Sequence, residues 1–132
     1  MLQRILLATV AVFVAWEVLD FVIHGLILRD AYAASPGLWR PMADMKMGLM
    51  YIVGAIAAFC FAGVYGWLVR PKSLNAALKF GLLSGIGAGV SMGYGSYCVM
   101  PIPYAMAFTW FAGTVVQALV GGLLAGVIIR EP

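Results

Sequence analysis

Charge is the first thing this sequence is short of. Only 10% of its residues are Asp, Glu, Lys or Arg, where a water-soluble domain carries roughly a quarter. That leaves too little polar material to coat a surface facing water. With 64% hydrophobic residues and a mean hydropathy of +1.02, the chain reads as an integral membrane protein. Histidine is almost absent too, with one in the chain. No zinc-protease signature, nucleophile elbow or Gly-rich phosphate loop occurs, which argues against a hydrolase. The formal charge of +3 rests on eight basic residues dispersed at segment ends. That pattern sets membrane orientation and lacks the stripe that nucleic acid would need, so no nucleic-acid partner is expected.

Cysteine is equally sparse, with two residues. Cys60 should lie about 20 Å along the second helix from Met47, while Cys98 falls at the far end of the third. A bridge needs Cα atoms within about 7 Å, so two free thiols are expected.

What the chain does have is long apolar runs. About 20 residues cross a hydrocarbon core, and four stretches reach that length, over about 5–28, 47–69, 74–100 and 103–129. The chain is therefore read as one domain, 1–132, an all-α bundle of four transmembrane helices. The opening "MLQRILLATVAVFVA" has the basic start of a signal peptide. However, Trp16 and Glu17 follow in place of a cleavage site and the apolar run continues, so a retained helix is expected. Arg4, Arg70, Lys72, Lys79 and Arg130 fall on one side. Arg29, Arg40 and Lys46 fall on the other, diluted by Asp30 and Asp44. The positive-inside rule then places both termini in the cytoplasm of a bacterial-type inner membrane, with the 29–46 loop outside.

The first helix carries a costly feature, "WEVLDFVIHG". Glu17, Asp20 and His24, spaced i, i+3 and i+7, share one face of an ideal helix. Ionisable residues at such depth face a bundle interior or a wet cavity. Depth counting brings Tyr51 and Tyr94 to the level of Glu17, where their hydroxyls would satisfy the carboxylates. Three uses compete for this face: a hydrogen-bonded lock between helices, a proton or cation relay, or a metal site. The last would take copper or zinc on His24 and Asp20, with Met45, Met47 and Cys98 as soft ligands from the outer face. Packing is the more ordinary use of methionine in apolar helices.

The third helix repeats a small residue every four positions, at Gly81, Gly85, Gly89 and Gly93. Such a row lets a second backbone approach closely, either within the bundle or across a homo-oligomer seam. "GYGSY" contains the potassium-filter triplet, but here it continues a spanning helix and lacks a pore-helix context.

The segments "LDFVIHGLILRDAY" and "GYGSYCVMPIPYAMAFTWFAGT" resemble small four-helix bacterial membrane proteins built on domains of unknown function. Asp20 followed by Tyr32, and Trp110 followed by Ala112 and Gly113, carry that resemblance. It implies the four-helix topology and no particular activity. The sequence thus points to a non-catalytic membrane protein, self-associating or an accessory subunit of a larger complex, whose partners are the bilayer and other membrane chains. The alternative is a small proton, cation or metal transporter built on Glu17, Asp20 and His24.

Overall fold

The computed structural model describes residues 1–131. Four long helices alternate in direction: α1, Leu2–Ile27; α3, Met47–Leu68; α4, Leu74–Val99; and α5, Tyr104–Ile128. All are long and apolar enough to cross a membrane. A one-turn helix α2, Arg29–Ala33, follows α1. Two 3₁₀ turns, Pro36–Leu38 and Met42–Asp44, then carry the loop to α3.

Sequence explains where each helix stops. The Ser73 hydroxyl accepts from the Ala76 amide at 3.0 Å and caps α4, satisfying one of the amides that a helix start leaves free. Pro101 forces Met100 into extended backbone, φ −119° and ψ 139°, because a residue preceding proline is barred from the helical region. Pro103 then precedes the first turn of α5.

The helices are not wound uniformly. Phe21–Ile27 of α1, Val64–Leu68 of α3 and Val90–Gly95 of α4 are π-wound. The wider turn rotates the residues beyond it relative to an ideal α-helix, so facing relations counted at 100° per residue fail past Asp20.

The closest packing is between α4 and α5. Gly81, Gly85, Gly89 and Gly93 are all buried, and each faces α5. A methyl group added at Gly81 would lie 2.5 Å from the Ala118 carbonyl oxygen, and one at Gly122 would lie 2.6 Å from that of Ala77. The two backbones touch, with no room for a side chain between them. The glycine row is therefore spent inside the chain.

On another side of α5 lies α1, and α3 packs on α1. At the end that holds the termini, all four long helices meet around Ile5, Ala8, Ala62, Tyr65, Ala77 and Ala125. The second core, at the loop end, is built from Ile23, Leu28, Ile102, Met106 and Ala107 and receives nothing from α3. From Met47 to Ala57, α3 is exposed at every position except the half-buried Gly54. The bundle is closed at the termini end and open at the loop end.

Cations secure the closed end. Arg4 Nη1 donates to the Arg130 carbonyl at 2.7 Å, fastening the start of the chain to its end. Arg70 donates to the Gly66 and Val69 carbonyls, and Lys72 to those of Tyr65 and Val69. These carbonyls have no partner along the helix, and cations are favoured at that end of its dipole.

The glycine contact predicts a sharp position dependence. Gly81→Ala or Gly122→Ala should each destabilise the bundle by about 1–3 kcal/mol through overpacking. Gly87→Ala, with open space where its methyl would sit, should be neutral or stabilising by up to about 1 kcal/mol. Denaturant unfolding in detergent micelles would show the order; equal effects at all three positions would contradict it.

Candidate functional site

The polar residues of α1 do not act as one face. Asp20 turns toward α5, where Gln117 Nε2 donates to its Oδ1 at 2.7 Å. Gln117 also pairs with Trp16: the indole Nε1 donates to the Gln117 carbonyl at 2.7 Å, and the Gln117 amide reaches the Trp16 carbonyl at 3.4 Å. One turn beyond Asp20, at the π-wound stretch, His24 Nε2 stands 3.7 Å from Asp20 Oδ1. His24 Nδ1 is 2.6 Å from the Tyr32 hydroxyl, and Trp110 Nε1 donates to that same oxygen at 2.8 Å.

These bonds fix a direction. An indole N–H only donates, so the Tyr32 oxygen accepts from Trp110 and its own proton goes to His24 Nδ1. A neutral His24 then carries its proton on Nε2, the nitrogen facing Asp20. This assignment rests on the bonding pattern and leaves no member of the chain without a partner. The order is Trp110, Tyr32, His24, Asp20, Gln117, Trp16.

Tyr32 is held by α2 and sits among aromatic rings. Trp39 meets it edge-on, with centroids 5.1 Å apart, and meets Trp110 at 6.1 Å. Trp39 Nε1 donates to Ser35 Oγ at 3.0 Å, and Ser35 donates to the Ala31 carbonyl at 2.9 Å. Burial raises the Tyr32 phenol above its ordinary range; the Trp110 bond pulls it down and the nearby Asp20 charge pushes it up again. The phenol stays protonated and remains the donor to His24.

Glu17 stands apart. Its carboxylate lies across the seam from Gly54 of α3, and a methyl group added there would be 3.0 Å from Glu17 Oε1. The missing side chain makes room for the carboxyl. Asp20 accepts from Gln117, but among the described residues Glu17 accepts from nothing.

The expected tyrosine layer around Glu17 is not assembled. Tyr94 bonds the Tyr104 hydroxyl at 3.0 Å, between α4 and α5. Tyr51 is half exposed and bonds none of the described residues. Nor is the expected metal cluster brought together. Among the described residues no three His, Cys, Asp or Glu side chains converge, which separates Cys98 from the Asp20–His24 pair. Met45 and Met47 instead line a cleft beside Trp39. Cys60 and Cys98 are free thiols.

Sequence reading picked out Asp20 and His24 but missed Gln117, Trp16 and Trp39 as their neighbours, and met Tyr32 and Trp110 only within the family resemblance. Gln117, the one amide in the apolar run of α5, was the available signal. No protein-family model, curated protein or solved structure matches this chain.

Two substitutions test the chain of bonds. Gln117→Leu strips Asp20 of its donor, and Tyr32→Phe strips both His24 and Trp110. Each should cost about 1–2 kcal/mol near neutral pH. The Tyr32 deficit should depend on pH in one direction. Because the folded phenol titrates above its unfolded value of about 10, its contribution is intact below that pH and is lost as pH rises through the folded value. Wild type and Tyr32→Phe should therefore converge in stability above about pH 10. Parallel unfolding curves across that range would rule out the assignment.

Proposed function

We propose that this is a small non-catalytic membrane protein, both termini cytoplasmic in a bacterial inner membrane, that associates laterally through the α1–α3 flank. The orientation rests on the basic bias of the end holding Arg4, Arg70, Lys72, Lys79 and Arg130. The observation that carries the association is Glu17. A carboxyl at mid-span costs several kcal/mol against lipid unless something meets it, and among the described residues nothing donates to it. Beside it, the exposed half of α3 carries Tyr51, a hydroxyl donor without an acceptor.

A second copy, related by a two-fold axis, supplies both missing partners, with Tyr51 of each copy donating to Glu17 of the other. An accessory role in a larger complex uses the same surface with a different donor. Four helices long and apolar enough to cross a membrane support the membrane part of this reading.

Association is read by energy transfer between labelled copies in liposomes as the lipid-to-protein ratio is raised. Wild type should transfer efficiently, and Glu17→Leu or Tyr51→Phe should weaken self-association about 3- to 30-fold per contact, the range of one interhelical hydrogen bond. A wild-type chain that stays monomeric at every density would overturn self-association.

One observation favours a different use, a proton or cation carrier: Tyr32 bonds His24, and His24 Nε2 stands 3.7 Å from Asp20. The groups on either side weigh against conduction, since neither the Trp110 indole nor the Gln117 amide titrates. Asp20→Asn separates the two readings. It leaves Glu17 and Tyr51 in place, so association should persist, whereas carrier flux into dye-loaded vesicles would be abolished.

A further inference from the structure

A cleft of about 440 Å³ opens where α3 leaves the bundle, between the loop and the α3 surface. Trp39 and Arg40 form its loop wall, and Lys46, Leu49, Met50 and Val53 form its helix wall. It is a shallow, open groove whose lining is almost wholly apolar, with Arg40 and Lys46 among the residues that border it.

The arrangement has a polarity along the helix. Lys46 precedes the first turn of α3, and Met50 and Val53 follow at helical spacing on the same side, so the lining descends about 10 Å from Lys46 to Val53. The two basic residues thus border the cleft at the end of the span, and its apolar lining runs toward the middle. Neither the Arg40 guanidinium nor the Lys46 ammonium bonds or pairs with any described residue. Asp44 is the acidic residue nearest them in sequence, and it lies outside the cleft lining.

We propose that this cleft holds one acyl chain of an anionic phospholipid from the surrounding leaflet, its phosphate seated between Arg40 and Lys46. The charge bordering the cleft selects an anion, because cations near a lipid surface attract acidic headgroups. The apolar lining selects a chain attached to that anion and excludes a free inorganic ion. The direction of the cleft, parallel to a spanning helix, is the direction in which bilayer chains lie. Val53 is about half exposed, so a larger side chain there fills the cleft without entering either core.

The test is native mass spectrometry of the delipidated, detergent-solubilised chain with phosphatidylglycerol, phosphatidylcholine or oleate added separately. Wild type should retain one phosphatidylglycerol at least tenfold more strongly than phosphatidylcholine. The double substitution Arg40→Gln with Lys46→Gln should weaken that retention by about thirtyfold, and Val53→Trp should remove it. Arg4→Gln with Lys79→Gln, at the opposite end, should leave it unchanged. Equal retention of the two phospholipids overturns the proposal and needs no variant at all. So does full retention by the Arg40–Lys46 variant, or a preference for oleate, which would assign the cleft to a free fatty acid.

Discussion

The bundle depends on the contact of two backbones. Where α4 meets α5 the separation is set by Gly81 against Ala118 and by Gly122 against Ala77, distances no side chain permits. In lipid, where apolar side chains gain little by leaving the solvent, such close van der Waals packing is a main source of helix affinity. It also fixes the rotation of α5. With one side committed to α4, the row Trp110, Gly113, Gln117 and Gly121 turns toward α1, as the bonds of Trp110 to Tyr32 and of Gln117 to Trp16 and Asp20 require. The polar chain is a consequence of the glycine row, which shares no atom with it.

That chain has the composition of a clasp. Its two ends, Trp110 and Trp16, are indole donors that cannot accept, and its members join three separate elements: α1, α2 and α5. Tyr32 ties the short α2 onto the long helices, and Trp39 and Ser35 carry the order outward into the loop. A loop with only one-turn elements has little structure of its own to resist fraying. Here the aromatic group it contributes replaces the packing that a longer helix would have supplied.

Helix number, helix limits and the glycine spacing were legible in the sequence because each is a local property of composition and period. The 5–28 stretch and its three successors lie within a few residues of the helices observed. The partners of Asp20 and His24 were not legible, for two physical reasons. Depth counting treats four helices as parallel rods, but α3 diverges from the bundle, which leaves Tyr51 unbonded. Facing relations counted at 3.6 residues per turn also fail where a helix is π-wound, and α1 changes winding at Phe21, between Asp20 and His24. Glu17 and Asp20 both precede that change, and the roughly 60° between them on an ideal wheel is enough to turn one toward α3 and the other toward α5. Gln117 escaped attention because it is uncharged, yet an amide offers both donors and an acceptor in one residue, which suits it to join Asp20 and Trp16.

The divergence of α3 follows from the distribution of bulk along its length. Tyr65 is fully buried at the closed end, tied by its hydroxyl to the Ser73 carbonyl and packed on Phe80 of α4. Phe61 bridges to Phe80 as well, and Trp16 of α1 meets Phe61 edge-on. Beyond that aromatic layer the one residue α3 fully buries is the small Ala58, and past it only Gly54 is buried in part; beside Gly54 lie the Glu17 carboxyl and the Phe13 ring. A helix anchored at one end and held at the other by so little takes its orientation from whatever lies alongside it. On one side of α3 stand Glu17 and Tyr51, a complementary pair of unfilled hydrogen-bonding groups. On another is the cleft bounded by Trp39, Arg40 and Lys46. Trp39 packs at once against that cleft and against Tyr32 and Trp110, so an occupant of the cleft bears directly on the aromatic cluster that holds the polar chain.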